Sequence, residues 1–359
     1  MTGKENNVHE NTAHESDVKF VGKVTDCNSP VTGNDFSDRI GGVDFLKILS
    51  CLGVLSYHVL DDFCLLPGHN VAEMAYFAAS FCIPMFFAVS GFTFGRRSFS
   101  AAYVENKIGG ILKKLFGWVI FWCVISVFIY GQKRNPFIDF IDGVFGEGVL
   151  PVSWFIFTLC ICWLASYTVF ILHQRHRTRF YIFSAALLAV MVLKRSAVVS
   201  WNIPFYDSGT QFAWFGLYFT FFVTGMLLRD INSLIVRDNS VFRIAITVLM
   251  VLITYIYVST LWVNEAAPFE VYGNWLYMIW FILIIVCSLN FIKFNKYVHE
   301  VSKGTLTVYL WHLPALVYIS KFVPVTSGLT GALMIFSLFV IGEILYFMFR
   351  NYPLIRKMV

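Results

Sequence analysis

The sequence predicts an all-α fold: a polytopic membrane helical bundle of about ten transmembrane helices, with the N- and C-termini cytoplasmic. Three observations predict it. The first is composition. Of 359 residues, 58% are hydrophobic and only 14% are charged, with a mean hydropathy of +0.68. A soluble domain carries about 25% charge, so this chain lacks the polar surface to cover a water-soluble globule. The second is a series of apolar runs near 43–60, 72–94, 115–131, 153–172, 180–199, 211–228, 242–262, 274–292, 304–320 and 329–349. Each is close to the ~20 residues that cross a ~30 Å hydrocarbon core as a helix. The third is where the positive charges fall between those runs.

The chain opens on a polar segment. Residues 1–38 are rich in Asn, Ser, Thr and Asp, and no apolar stretch follows a basic start. This reads as a disordered cytoplasmic tail rather than a signal peptide, leaving 39–359 as the transmembrane domain. The runs that follow must be helical, because a lone strand in lipid leaves its backbone unpaired. Lys194 and Arg195 interrupt the end of the fifth run, which makes it the weakest of the ten.

With the tail inside, the outer loops hold only Lys133, Arg134, Lys194, Arg195 and Lys321, and most other Lys and Arg fall in inner segments. An odd number of helices would spoil this positive-inside pattern, so an even count with both ends inside is expected. The net charge of +5 therefore reports orientation, and no nucleic-acid partner is expected. The lipid bilayer is the partner the composition requires. No internal repeat of the inverted-transporter kind is visible. Cys51, Cys82, Cys123, Cys160, Cys162 and Cys287 lie inside apolar runs as small hydrophobes, while Cys27 falls in the tail and Cys64 in an outer loop. That leaves no pair for an outer disulfide. No His/Cys spacing suggests a metal site.

Charged residues inside apolar runs need a reason. The first run, GGVDFLKILSCLGVLSYHVL, holds Asp44, Lys47 and His58. At 100° per residue, Lys47 and His58 are about 20° out of alignment and Asp44 about 40° from His58, so the three share one helix stripe. At 1.5 Å per residue, Lys47 and His58 stand ~16 Å apart along the axis. Two readings fit the stripe. In one, Asp44 and Lys47 are an interfacial i,i+3 pair and His58 bonds to a neighbouring helix. In the other, the stripe is a functional face. Tyr309 and His312 form a second i,i+3 pair, which suits helix packing as well as chemistry. Glu343 is an acid in an otherwise apolar helix, suited to proton handling or to pairing with a cation. Ser90–Gly91 follows Pro84 and marks a kink and close packing. Trp154 opens the fourth run as an interface anchor or a ligand contact.

These residues resemble the acyltransferase type 3 family of membrane O-acyltransferases. VDFLK with His58 eleven positions past Lys47 resembles that family's opening motif. PMFFAVSGF, SWFIFTL around Trp154 and Phe155, and SKGTLTVYLWHLP with Ser302, Tyr309, His312 and Pro314 resemble its later segments. The likeness runs from about 39 to 350. One departure stands at the third helix, where the family's Arg-x-x-Arg pair is replaced by ENKIGGILKK, so that Lys107, Lys113 and Lys114 supply charge at a different spacing.

The resemblance implies transfer of an acyl group, usually acetyl from acetyl-CoA, to a hydroxyl of a surface polysaccharide or lipid-linked glycan precursor at the bacterial inner membrane. No cofactor is permanently bound in this reading, and acetyl-CoA is a donor substrate. His58 is the expected general base, with Asp44 and Glu343 as further catalytic groups. Lys47, Lys107, Lys113 and Lys114 are the expected donor-binding cations, and Ser90, Trp154, Tyr309 and His312 the expected acceptor contacts. A His with a pKa near ~6.5 suits the deprotonation of a weakly nucleophilic hydroxyl, a contribution typically of ~10²–10⁴-fold. The alternative is a glycan exporter or proton-coupled transporter using His58, His312 and Glu343 as a relay. A scaffold without catalysis accounts less well for three aligned polar residues in one helix.

Overall fold

The structure is a computed structural model, and it describes residues 40–64, 71–94, 101–130, 136–145, 150–196, 213–236, 239–264 and 272–352. The polar tail lies outside the described residues, and one compact unit starts at Ile40. Each of the ten apolar runs forms a helix over its described residues apart from one or two at the ends, and no strand occurs among the described residues. In chain order the elements are α1 (Gly41–Cys64), α2 (Val71–Ala78), a 3₁₀ turn (Ala79–Phe81), α3 (Cys82–Phe94), α4 (Ala101–Tyr130), α5 (Pro136–Phe145) and α6 (Ser153–Arg175). They continue as α7 (Arg177–Arg195), α8 (Ala213–Asp230), α9 (Asn232–Ile235), α10 (Ser240–Asn264), α11 (Trp275–Phe291), α12 (Lys296–Ile319) and α13 (Gly328–Phe349).

Among the described residues, six helical stretches are long and apolar enough to cross a membrane: Gly41–Asp61, Glu73–Phe94, Ala101–Phe128, Ser153–Arg175, Ser240–Leu261 and Gly328–Phe349. The other four runs form helices that fall short for readable reasons. Helix α7 carries Arg177, Arg179, Lys194 and Arg195 at its ends, and α8 ends on Arg229 and Asp230. Helix α11 is apolar but only 17 residues long, and the first turns of α12 are polar, with Lys296, His299, Glu300 and Lys303.

Three features depart from the sequence reading. Helix α4 starts at Ala101, well before its apolar run, because AAYVENKIGGILKK continues the helix and carries Lys107, Lys113 and Lys114 on it. The stretch after α4, expected as loop, contains α5. Phe140 of α5 stacks on Phe116 from the middle of α4, so the chain doubles back along that helix. Helices α6 and α7 are separated by His176 alone, at φ −146° and ψ 75°.

The solvent for this bundle is lipid, as its outward faces show. Phe128 of α4 is 81% exposed, Val241 and Tyr255 of α10 are above 70%, and Leu329 of α13 is 72%. Inside, Trp118, Trp280, Tyr257, Tyr277, Phe87, Phe221 and Phe281 are fully buried. Lipid tails are as apolar as Leu, so close approach between helices has to come from small residues. Gly91 of α3 and Gly225 of α8 provide it reciprocally. A Cβ on Gly91 would strike the Phe222 carbonyl, and one on Gly225 the Ala88 carbonyl. Helix α1 runs through the centre, against α3, α11, α12 and α13. This central place lets its polar stripe face other helices rather than lipid.

Candidate active site

The stripe on α1 meets α12, and the two helices run in parallel. Asp44 lies beside His299 and Ser302, Cys51 beside Thr305, and His58 beside His312. Asp44 is buried and is the hub of the first level. Its Oδ1 accepts from Lys47 Nζ at 2.9 Å and from Ser302 Oγ at 3.0 Å, and its Oδ2 pairs with His299 Nδ1 at 2.8 Å. The same Ser302 hydroxyl lies 2.9 Å from the His299 carbonyl oxygen, so its one proton is shared between the two acceptors. A carboxylate buried in a membrane bundle is tolerable only with such partners. The interfacial i,i+3 pairing is therefore real, but it is half of a larger cluster that ties α1 to α12.

The second level is ~21 Å from Asp44, and ~16 Å from Lys47, further along α1. The His58 ring lies 5.3 Å from the His312 ring, centroid to centroid, at 40°. His312 is fully buried. Its Nδ1 lies 2.6 Å from the Tyr309 carbonyl oxygen, and a carbonyl only accepts, so Nδ1 carries the proton. In the neutral ring the lone pair is then on Nε2, an atom without a hydrogen-bond partner among the described residues. Tyr309, also buried, donates its hydroxyl to the Val152 carbonyl at 3.1 Å, which fixes the start of α6 against α12.

Between the levels lies space. A cavity of about 180 Å³ is lined by Lys47, Phe86, Ser90, Thr93, Phe155, Thr305 and Tyr309 among others. A second, of about 470 Å³, is lined by Tyr103, Asn106, Lys107, Gly110, Lys114 and Trp163. The two share Ile111, Trp163 and Leu306 in their walls. They form one cleft, with a wide, lysine-bearing mouth between α4 and α6 and a narrower aromatic interior ending at Lys47 and Tyr309. Lys107, Gly110 and Lys114 follow an i, i+3, i+7 line on α4, which is why they face the cleft together. Gly110 meets nothing within 4 Å where a Cβ would stand, so its missing side chain widens the mouth.

The structure thus gathers Lys47, Lys107, Lys114, Ser90 and Tyr309 around one cleft and pairs His58 with His312 at its far side. Other expected site residues stand apart. Lys113 is exposed off the cleft line. Trp154 packs against Tyr218 and edge-on to Phe155, and it is Phe155 that reaches the cleft. Glu343 of α13 presses on Gly304 of α12, where a Cβ would collide with its carboxyl group. It is buried, and neither carboxyl oxygen has a hydrogen-bond partner among the described residues. Gly304 precedes His312 by eight positions, ~12 Å of helix, so Glu343 belongs to a level between the Asp44 cluster and the histidine pair. Sequence reasoning missed His299, Tyr103, Asn106 and Trp163. The first had a signal, since it sits three residues before Ser302 and so shares its helix face. Among the described residues no group of His, Cys, Asp and Glu is arranged to hold a metal ion.

A membrane helical bundle with a lysine-bearing cleft and a histidine pair, one ring of it fully buried, is the class that fold and site define. The family model for an acyltransferase domain, of type 3, matches residues 40–348, nearly the whole compact unit, and the chain belongs to that family. Neither the curated proteins nor the solved structures contain a match to it.

Proposed function

We propose that this membrane acyltransferase moves acetyl from acetyl-CoA to a hydroxyl of a surface polysaccharide or lipid-linked glycan precursor, in the bacterial inner membrane. In this reading all ten long helical segments cross the bilayer, with both termini and the lysine-bearing mouth on the cytoplasmic side. The observation that carries the proposal is the cleft. It starts at Lys107 and Lys114, passes Lys47 and ends at Tyr309, one turn of α12 from His312 and its partner His58.

The chemistry follows from that layout. CoA is a polyanion, and lysines at the cleft mouth raise its local concentration and hold its phosphates. The interior is narrow and aromatic, suited to the slim pantetheine arm. Lys47 is held by Asp44, so its ammonium is fixed in position as it faces the cleft. The thioester is then delivered towards the histidine pair. His58 takes the proton from the attacking hydroxyl, the oxygen forms the new ester bond to the acetyl carbonyl, the carbon–sulfur bond breaks, and the departing thiolate takes that proton to leave as the CoA thiol. His312 holds its own proton on Nδ1 for the Tyr309 carbonyl, which leaves Nε2 to accept a hydrogen bond from His58 or from the substrate. Exclusion of water by lipid and by the aromatic walls protects the thioester from hydrolysis.

The test is reconstitution of purified protein in lipid nanodiscs with acetyl-CoA and surface glycan from a strain lacking the protein. Release of free CoA together with a gain of one acetyl mass on the glycan is expected. His58→Ala should abolish both while inserting into membranes normally. Glycan passage across sealed vesicles without CoA release would overturn the proposal in favour of transport.

A further inference from the structure

We propose that the end of α1 around and beyond His58, together with α2, is the acceptor subsite, a sugar-binding platform made of Tyr57, Tyr76 and Asp61. The inference rests on the acyltransferase reading and assigns the acceptor to residues outside the donor cleft.

Tyr57 and Tyr76 are half-buried, and their rings stack at 4.9 Å with only 18° between planes. The Tyr76 hydroxyl donates to Asp61 Oδ1 at 2.9 Å, and Asp61 is exposed. Tyr57 also meets the His58 ring edge-on, with centroids 5.7 Å apart. The platform is therefore in direct contact with the proposed base. Asp61 lies three residues past His58, about one helical turn, on the same side of α1. None of the three residues lines the cleft that leads from Lys107 to Tyr309.

The combination selects a ligand class. A pyranose presents one apolar face of C–H groups and a rim of hydroxyls. C–H groups sit favourably on the electron-rich face of a tyrosine, and a fixed carboxylate accepts from vicinal hydroxyls. The Tyr76 bond at Oδ1 orients Asp61 and leaves the acceptor capacity of Oδ2 for the sugar. Anionic donors are disfavoured here by the same carboxylate, so the two substrates are sorted by charge. Donor and acceptor would approach the histidine pair from opposite directions along α1, the donor from the Lys47 level and the sugar from the Asp61 level. A hydroxyl of a sugar on the platform is then one helical turn or less from His58.

Saturation-transfer NMR on the purified full-length protein in detergent, with methyl glycosides of glucose, galactose, mannose, rhamnose and N-acetylglucosamine, tests this directly. Transfer to the ring protons of at least one glycoside is expected. Tyr76→Ala and Asp61→Asn should each weaken it by about tenfold to hundredfold, the worth of one hydrogen bond to a charged group. Tyr76→Phe, which keeps the stack and loses the Asp61 bond, should fall between these and wild type. His58→Gln should retain binding, because it removes the base and not the platform. No transfer to any glycoside, or equal transfer with Tyr76→Ala and Asp61→Asn, would leave the two tyrosines as interfacial anchors only and overturn the assignment. Binding that depends on Tyr76 and Asp61 without any acetyl transfer would uphold the subsite and overturn the acyltransferase reading. Acetyl transfer with an acceptor KM indifferent to both variants would do the reverse.

Discussion

Replacing Asp44 by Asn isolates the cluster that joins α1 to α12. The change keeps the side chain's shape and removes its charge. Three bonds are affected, and they are unequal. Lys47 is 30% exposed at its side chain and can turn to water, so its share is that of a surface pair, ~0.2–1 kcal/mol. The His299 side chain is only 15% exposed, and its bond to a charged carboxylate is worth ~1.5–3 kcal/mol. Ser302 can turn its one proton wholly to the His299 carbonyl, so its loss is ~1 kcal/mol. Together the loss is about 3–5 kcal/mol, the range found when one partner of a buried ion pair is removed. At ~2 °C per kcal/mol for a chain of this size, the melting midpoint should drop by roughly 6–10 °C. A thiol-reactive dye reads this without a purpose-built probe, because Cys51, Cys82, Cys123, Cys160, Cys162 and Cys287 are free and buried. Ser302→Ala should lower the midpoint by only ~2 °C, and Lys47→Met by less. An Asp44→Asn midpoint within a degree of wild type, or a Ser302→Ala loss of equal size, would refute the account of Asp44 as the shared acceptor.

Further outcomes follow from other parts of the structure. Gly91→Ala and Gly225→Ala should each destabilise by ~1–3 kcal/mol through overpacking, since the added carbon meets a backbone carbonyl that cannot step aside; equal midpoints by the same dye assay would contradict the close α3–α8 contact. Lys107→Ala and Lys114→Ala should raise the acetyl-CoA KM several-fold, more at low salt than at high, whereas Lys113→Ala should not; steady-state kinetics at two ionic strengths separate them. Glu343→Leu should stabilise the bundle by ~1–3 kcal/mol, because it replaces a buried carboxyl whose oxygens have no hydrogen-bond partner among the described residues, and a lower midpoint would show that the carboxyl is held by something else. At the α6–α8 end, burial opposes ionisation of Asp230, but bonds from Tyr181 and His173 and the charge of Arg177 outweigh it and hold the carboxyl below its usual value. A depressed folded-state pKa stabilises above the unfolded value, ~4, and is lost as pH falls through the folded one. The midpoint gap between wild type and Asp230→Asn should therefore close below about pH 4, and a gap that stays constant would count against the cluster.

Much of the fold was legible because it depends on short-range rules. All ten apolar runs form helices, since length and backbone satisfaction in lipid leave a segment little choice. The first-helix stripe was legible for the same reason: Asp44, Lys47 and His58 share a face by helical arithmetic alone. The run boundaries were less so. Helix α4 extends through ENKIGGILKK because the backbone hydrogen bonds of a helix do not stop where hydropathy falls, even across Gly109 and Gly110. Helix α5 was hidden because PFIDFIDGVF is too short to read as a crossing, and its place against Phe116 is a contact between segments.

What the sequence determined by itself is the solvent and the local geometry: a lipid-embedded helical protein and a polar stripe on its first helix. What only the tertiary structure decided is who meets that stripe. Asp44 and Ser302 are 258 positions apart, and no periodicity links them. Their pairing depends on α1 lying at the centre of the bundle beside α12. That arrangement also sets His312 against His58, gives Asp44 its second partner in His299, and leaves Lys113 off a cleft that Lys107 and Lys114 share. Helical periodicity fixes which residues share a face. Which faces touch is decided by the small residues and shapes that let helices pack, and that information is spread over the whole chain.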